Sequence, residues 1–575
     1  MQRNLKSLSN QPFDLLVIGG GIHGACVAWE ATLRGLSVAL IEQSDFASGT
    51  SANSLKVIHG GLRYLQTADF RRMRQSIRAR QTLMRIAPHL VHPMPVLVPT
   101  YGHGLKGKAA MAMALKMNDI ISCDRNFLLA DPQKHIPPSR ILSQKACLDK
   151  LPDLPTDGLT GAAVFYDAQV YNSEQLVLAF LQSADQRGAQ IANYVRAVGF
   201  IKENNRVIAT TAEDQLTGDR FDIRAKAVIN ASGPWVNQLI ATAVEAPPPQ
   251  PLAKAMNLVT RPLFGSQLDC AVGITSRAPG SRLFFIAPWR GHSLIGTWYG
   301  QDTEQVKPPS AKSSEVENFL TDVNQAYPSF KLTVDDVQWV HTGLLPSQGT
   351  VSKSGEVNLT KHFQLRDHRS DGLEGLLSVT GVKYTTALDL ARRAVDWVFH
   401  TGFASLGKNR RVPPSTSHRE RLHGGHIEQF QTFLETATRA YEEEMPTRVI
   451  RQMVYNYGSA YPEVLQQLEG TPGEGIGESA HPVAAEVRYH LTQTMPQTLS
   501  DMVFRRTELG AAGHPGDEIL HLCSQIMSDA LGWNPDRQRT EVQQVQERFR
   551  QWQVQPQPEP QRSPAPSGSS PPCSV

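Results

Sequence analysis

Three glycines, Gly19, Gly21 and Gly24, stand between an apolar run, FDLLVIG, and a run of small and apolar residues, IHGACVAWEATLRG. That spacing suits phosphate. Gly19 permits a tight turn, Gly21 lets a pyrophosphate approach the backbone, and Gly24 lets a helix pack on its strand. Free N–H groups and the dipole at a helix N-terminus favour an anion there. Glu42 closes the next apolar run, LSVALIE, about 20 residues further on. A carboxylate at that place accepts hydrogen bonds from adenosine ribose hydroxyls and disfavours a 2′-phosphate. The motif points to a dinucleotide and does not separate NAD from FAD. Directly after it comes GTSANSLKVIHGGLRY, residues 49–64, with small hydroxyls, a lysine, a histidine, paired glycines and an Arg-Tyr. It is too irregular for a helix and too polar for a buried strand.

The elements that must position these groups read as strand, turn, helix, strand, a βαβ unit of about 30 residues. DFRRMRQSIRARQTLMRIA is predicted to be a basic helix, with Arg71, Arg74, Arg78 and Arg85 on a solvated face. Residues 105–121 read as a packed helix, with a membrane-surface helix as the alternative. AKAVINASGPWVNQLI is a strand, a glycine turn and a helix. SRLFFIAPWRGHSLIGTW is a hairpin turning near Arg290–Gly291. GLLSVTGVKYTTALDLARRAVDWVF is a strand, a glycine turn and an amphipathic helix.

The length of 575 residues implies more than one domain. A net charge of +3 is too small to imply a nucleic-acid partner, and the basic helix lacks interleaved stacking aromatics. Six scattered cysteines without a CxxC pair suit a reduced, cytoplasmic protein. His418, His423 and His426 lie in a Pro/Gly/Ser stretch that offers no scaffold for a metal, so no metal is expected. The N-terminus shows no cleavable signal pattern, and no apolar run is long enough to cross a membrane. A peripheral contact with the inner face of the membrane is left open, as is the oligomeric state.

The stretch FDLLVIGGGIHGACVAWEATLRGLSVALIEQSDFASGTSANSLKVIHGGLRYL resembles the flavin-dependent glycerol-3-phosphate dehydrogenase family, within the D-amino-acid-oxidase-like group. APHL, PMPVLVP, NASGPWV, SRLFFIAPW, SLIGT, SVTGVKYTTA and LSDMVFRRTELG fit it in the same order. The likeness covers about residues 13–400 and continues more loosely to 550. The resemblance implies FAD as the cofactor. It implies that Thr50, Ser51 and Ser54 contact the pyrophosphate and ring oxygens, and that Gly60 and Gly61 lie against the isoalloxazine ring with His59 close by. Ser232 and Gly233 join the cofactor site. Gly381, Lys383 and Thr385 make a second flavin contact, with a helix N-terminus aimed at the ring. Arg63, Tyr64 and Lys383 would hold a small-molecule substrate and form the catalytic set. Electrons would leave to a quinone or oxygen.

Three positions depart from the family pattern. Asn257 replaces a histidine, Leu345 an arginine, and Lys361 a second arginine. Lysine keeps charge but loses the bidentate fork, and leucine loses both. Arg282, Arg290 and His292 are candidates to replace the lost cations, and Asn257, Arg282 and Lys361 join the expected substrate contacts. A different hydroxy or amino substrate, or weakened turnover, is therefore weighed beside oxidation of glycerol 3-phosphate. The expected fold is α/β: a Rossmann-type FAD-binding domain (12–105, 155–245, 365–405), a mixed or antiparallel-sheet substrate domain (106–154, 246–364), a helical domain (406–552) and a disordered tail (553–575).

Overall fold

The computed structural model describes residues 1–102, 107–245, 247, 250–265, 268–275, 283–301, 309–351, 357–403, 412–468, 480–511 and 513–552. The expected tail lies outside the described residues. Five strands run parallel in the spatial order Gln190–Ala192, Val38–Ile41, Phe13–Ile18, Arg220–Asn230, Leu376–Thr380. Every residue of Phe13–Ile18 and Val38–Ile41 is buried, so both read as apolar runs, broken only by Asp14, whose charge is answered by Lys226. Helices Ile22–Leu33, Ser173–Asp185 and Ala387–Trp397 supply the core on one face. The hairpin Val195–Glu203/Arg206–Asp214 and the helix Leu5–Asn10 contribute to the core on the other. The chain leaves Phe13–Ile18 to one side and returns on the other. That reversal opens a crevice at the carboxyl ends of the strands.

A second, mostly antiparallel sheet is built around Leu252–Thr260, with Val337–Val351 on one side and His292–Gln301 on the other. Its hairpin turns at Arg290 and Gly291, both at positive φ (51° and 78°). Positive φ at both central residues marks the type I′ turn, whose twist matches the strands. Val91–Tyr101, Leu159–Val170 and the short Val57–Ile58 also pair in this sheet. These segments sit inside 12–105 and 155–245, the stretches read as cofactor-binding. An antiparallel strand joins whichever edge offers it backbone partners, so sheet membership does not follow the apparent insertions.

The helix Lys108–Ile121 packs by one face only: Leu115 is its one buried side chain, with Met111 partly buried beside it against the second sheet, and the rest of the helix is half-buried or exposed. The basic helix Phe70–Ile86 is not wholly a solvated face either. Arg80 is buried and donates to the Tyr166 carbonyl, 3.7 Å from Asp167.

The C-terminal helices dock through one buried ion cluster. Asp45 accepts from Arg505 Nε at 2.6 Å and from Arg506 Nη1 and Nη2 at 2.8 and 2.7 Å. Arg505 also pairs with Asp501, and Tyr194 donates to Asp501 at 2.8 Å. Burial acts to raise the Asp45 carboxyl, but the two guanidiniums outweigh it and hold it at about 2. Removing one partner leaves buried charge uncompensated, which costs about 3–5 kcal/mol. Asp45→Asn is expected to lose that much, read as a lowered denaturant midpoint. Because the native pKa is depressed, the wild-type contribution is complete above about pH 4 and fades as pH falls towards 2.

Candidate active site

The glycine turn is made by close approach. Gly19 has φ +117°, and a Cβ there would stand 2.5 Å from the Ala231 carbonyl. A Cβ on Gly24 would stand 1.8 Å from the Gly19 carbonyl, so the helix lies directly on the strand. Gly21 is the N-cap of Ile22–Leu33, and the Ile22 N–H donates to Ser51 Oγ at 3.0 Å. Glu42 braces the turn by accepting from the N–H groups of Gly20 (2.7 Å) and Ser44 (2.9 Å). Burial pushes its carboxyl up, against those two bonds.

The other expected cofactor residues gather at the same edge. Ser232 and Gly233 follow Arg220–Asn230, and Gly381 and Lys383 follow Leu376–Thr380, with Thr385 buried behind them. The Ser232 hydroxyl donates to Asn230 at 2.6 Å. His23, on the first turn of the glycine-motif helix, leans against Gly381, and a Cβ there would meet its Cε1 at 2.9 Å. Burial pushes His23 down to about 4, and its buried Nε2 has no hydrogen-bond partner.

Residues 49–64 cross from this edge to the second sheet, and the structure gives several of them duties other than those expected. The Thr50 hydroxyl exchanges hydrogen bonds with the Leu344 backbone at 2.9 and 3.1 Å. Ser54 accepts from the Lys56 N–H at 3.3 Å. Lys56 is buried and donates to the Ala52 carbonyl (2.6 Å), Ser173 (2.7 Å) and Glu174 (3.1 Å). Gly60 and Gly61 are required by protein, since Cβ atoms there would meet Arg80 Nη1 at 2.2 Å and Met73 Cα at 3.0 Å. Asp167 accepts from the Gly60 N–H at 2.6 Å and bonds His59 Nδ1 at 2.9 Å, while the His59 side chain stays 49% exposed. Burial would raise the Asp167 carboxyl, yet the bond and charge of His59, with Arg80, hold it below its ordinary value.

Arg63, Tyr64 and Lys383 come together. Lys383 Nζ stands 4.1 Å from the centre of the Tyr64 ring, and Arg72 covers the same ring at 4.3 Å. Burial, then the charge of Arg63, pushes Lys383 down to about 8.

The departing positions are placed differently. Asn257 is buried with its amide consumed: it donates to the Asn53 carbonyl at 3.3 Å and accepts from Thr297 at 2.8 Å. Leu345 sits opposite Ala253 in the second sheet. Lys361 is exposed, two residues before Phe363, which packs against Gly381. Arg282 lies outside the described residues. Arg290 faces Glu508 at 3.6 Å in the contact with the C-terminal helices, so it does not replace a cation beside Lys383. Lys56 stands inside the 49–64 motif but has no role read from the sequence there, and Arg80 and Asp167 carry no motif that would single them out.

Residues 14–393 match the family described as DAO, FAD dependent oxidoreductase, and residues 415–538 match the C-terminal domain of alpha-glycerophosphate oxidase. The chain belongs to the FAD-dependent oxidoreductases. This oxidoreductase is 32% identical over 567 residues to the glycerol-3-phosphate dehydrogenase of Synechocystis sp., covering 96% of this chain and 98% of that protein. It is 30% identical over 580 residues to the mitochondrial glycerol-3-phosphate dehydrogenase of Mus musculus, covering 94% and 74%. The glycerol-3-phosphate dehydrogenase from Bacillus halodurans, solved in complex with FAD, superposes with a TM-score of 0.73 at 26% identity, over 95% of this chain and 96% of that one.

FAD fits the residues present. The crevice has a turn whose glycines carry no side chain of their own and whose Ile22 N–H is met by Ser51 Oγ, a carboxylate at the end of the second strand, and an orphaned buried imidazole nitrogen at its wall. Gly24→Ala is expected to yield folded but colourless oxidoreductase, because the new methyl cannot share space with the Gly19 carbonyl. Flavin absorbance per mole of purified protein, with circular dichroism to check the fold, measures it.

Proposed function

We propose that this oxidoreductase converts the secondary alcohol of sn-glycerol 3-phosphate to the ketone of dihydroxyacetone phosphate. The observation that carries the reading is the Arg63–Tyr64–Lys383 cluster beside the strand edge that would hold the flavin. The names of relatives that span nearly the whole chain support it.

Gly19, Gly21, Gly24, Ser51, Ser232, Gly233, Gly381 and Thr385 would hold FAD, with Glu42 on the adenosine ribose. When bound, FAD accepts a hydride from the alcohol carbon. Arg63 grips the phosphate with its planar fork, and Lys383 adds a second positive charge. The Tyr64 ring keeps Lys383 in place by cation–π contact. His59 takes the hydroxyl proton. Asp167 holds its Nδ1, fixing the ring and leaving Nε2 to act as base. With Leu345 uncharged and Asn257 committed to the fold, substrate affinity rests on Arg63 and Lys383, with Lys361 as an outlying charge.

The electron acceptor in this reading is a membrane quinone, reached by peripheral contact at the inner face. Its support is a surface patch: Met113, Ile120 and Phe127 are 70, 73 and 84% exposed, with Met117 and Leu128 beside them and Lys108 and Lys116 on the same helix. Apolar side chains rimmed by lysine suit a helix lying in an anionic lipid interface. No helix among the described residues is long and apolar enough to span a membrane.

Anaerobic addition of glycerol 3-phosphate is expected to bleach the flavin band. Bleaching only by another hydroxy or amino compound would replace the substrate. Arg63→Met is expected to raise KM about 10- to 100-fold, the size of a charged hydrogen bond of about 1.5–3 kcal/mol. Lys383 is charged below its pKa, so KM should climb as pH rises past about 8, and Lys383→Arg should flatten that climb. For the membrane contact, the full chain should sediment with vesicles containing anionic lipid. The double variant Ile120→Glu, Phe127→Glu should stay in the supernatant with its flavin intact.

A further inference from the structure

A narrow cavity lies where the second sheet meets the C-terminal helices, behind residues 48–53 and apart from Arg63, Tyr64 and Lys383. Arg290, His341, Arg505 and Arg548 line it, with Glu174 as its one carboxylate. The charges pair unevenly. Lys56 answers Glu174 at 3.1 Å, and Arg505 and Arg506 share Asp45 and Asp501. Arg290 lies against the rings of Tyr171 and Trp289 (4.8 and 4.7 Å to the ring centres) with its side chain only 8% exposed. Glu508 stands 3.6 Å from Arg290 Nε, and neither Nε nor Nη2 makes a hydrogen bond. Arg548 covers the Phe504 ring at 4.2 Å and has no carboxylate partner among the described residues.

His341 sets the kind of anion. Asn53 donates its amide N–H to the Gly49 carbonyl at 3.0 Å, so its oxygen is free to accept from His341 Nδ1 at 3.2 Å. Nε2 is then a bare acceptor, buried and unpartnered. A fully deprotonated oxyanion offers that lone pair only repulsion. A hydrogen-bearing one gives its O–H to Nε2 and its negative oxygens to the arginines. The cavity volume of about 30 Å³ exceeds the ~10–15 Å³ that one water requires. That suits a compact group and excludes a nucleotide.

We propose that this interdomain cavity binds a protonated oxyanion, either inorganic phosphate or the phosphate of a monoester. Such an anion supplies a counter-charge to Arg548 and hydrogen-bond partners to Arg290 and His341 at once. It also touches both the C-terminal helices and Asn53, which borders the segment that positions Ser51 at the glycine-motif helix.

The test uses the full, FAD-loaded chain at constant ionic strength, with Tm followed as inorganic phosphate is added. A saturable rise is expected, with sulfate at least tenfold weaker because it has no O–H to give. The rise should persist in Arg63→Met, which empties the proposed substrate site of its guanidinium. Arg548→Met keeps an apolar stem over Phe504 and should weaken phosphate at least tenfold. Ala511→Leu fills the cavity without removing a charge and should do the same. Glycerol 3-phosphate titrated into Arg63→Met assigns the source: a matching rise means monoesters enter, and no rise means free phosphate alone. The proposal is overturned if phosphate gives no saturable rise, if sulfate matches it, if Arg63→Met abolishes it, or if Arg548→Met and Ala511→Leu both leave it unchanged.

Discussion

A single buried carboxylate ties the molecule together. Asp45 lies just past the strand that ends at Ile41 and just before the segment that crosses to the second sheet. Its oxygens are filled by Arg505 and Arg506, which come from more than four hundred residues along the chain. Charge removed from water is tolerable only when its partners are complete. The parallel sheet and the C-terminal helices therefore cannot part without exposing an unpaired anion and two guanidiniums. The motif LSDMVFRRTELG has its physical explanation here, in docking rather than in catalysis.

From that anchor the segment 49–64 is stretched between two sheets, and nearly every residue in it has a holding duty. Thr50 is clamped to Leu344, Lys56 to Glu174, and Gly60 to Asp167. Beside these stand Ser51, which accepts from the Ile22 N–H at the helix start, His59, half exposed on Asp167, and the Arg63–Tyr64 pair that meets Lys383. Clamped at Thr50, Lys56 and Gly60, and paired through Val57–Ile58, the stretch holds those groups in place.

The three positions that depart from the family pattern lie apart from the Arg63–Tyr64–Lys383 cluster. Asn257 has become part of the brace under Asn53 and Thr297, where an amide can both donate and accept as a protonated imidazole cannot. Leu345 adds no charge, and Arg290 has been drawn to the opposite side by Glu508. Positive charge beside the Tyr64 ring comes from Arg63, Arg72 and Lys383, and a separate excess of it lies at Arg548 against the C-terminal helices.

Much of the cofactor half was legible from residue order. Glycine spacing, apolar runs and the Arg290–Gly291 turn report local backbone geometry, and local geometry is written in neighbouring residues. The strand ends bearing Gly19, Glu42, Ser232 and Gly381 followed from it, and the resemblance added FAD. Other assignments were not legible in this way. The strands Val91–Tyr101 and Leu159–Val170 belong to the second sheet, Lys108–Ile121 turns Met113, Met117 and Ile120 outwards, and Gly60 and Gly61 yield to Arg80 and Met73. Neither could the order of residues show that Asp167 would carry His59, or that Arg548 would meet no carboxylate among the described residues. Each of these depends on contacts between segments far apart in the chain. Hydrophobic periodicity says that a face is covered but not by what, and an ion pair across hundreds of residues leaves no local trace. Which charges meet is settled by the packing of sheets and helices on one another.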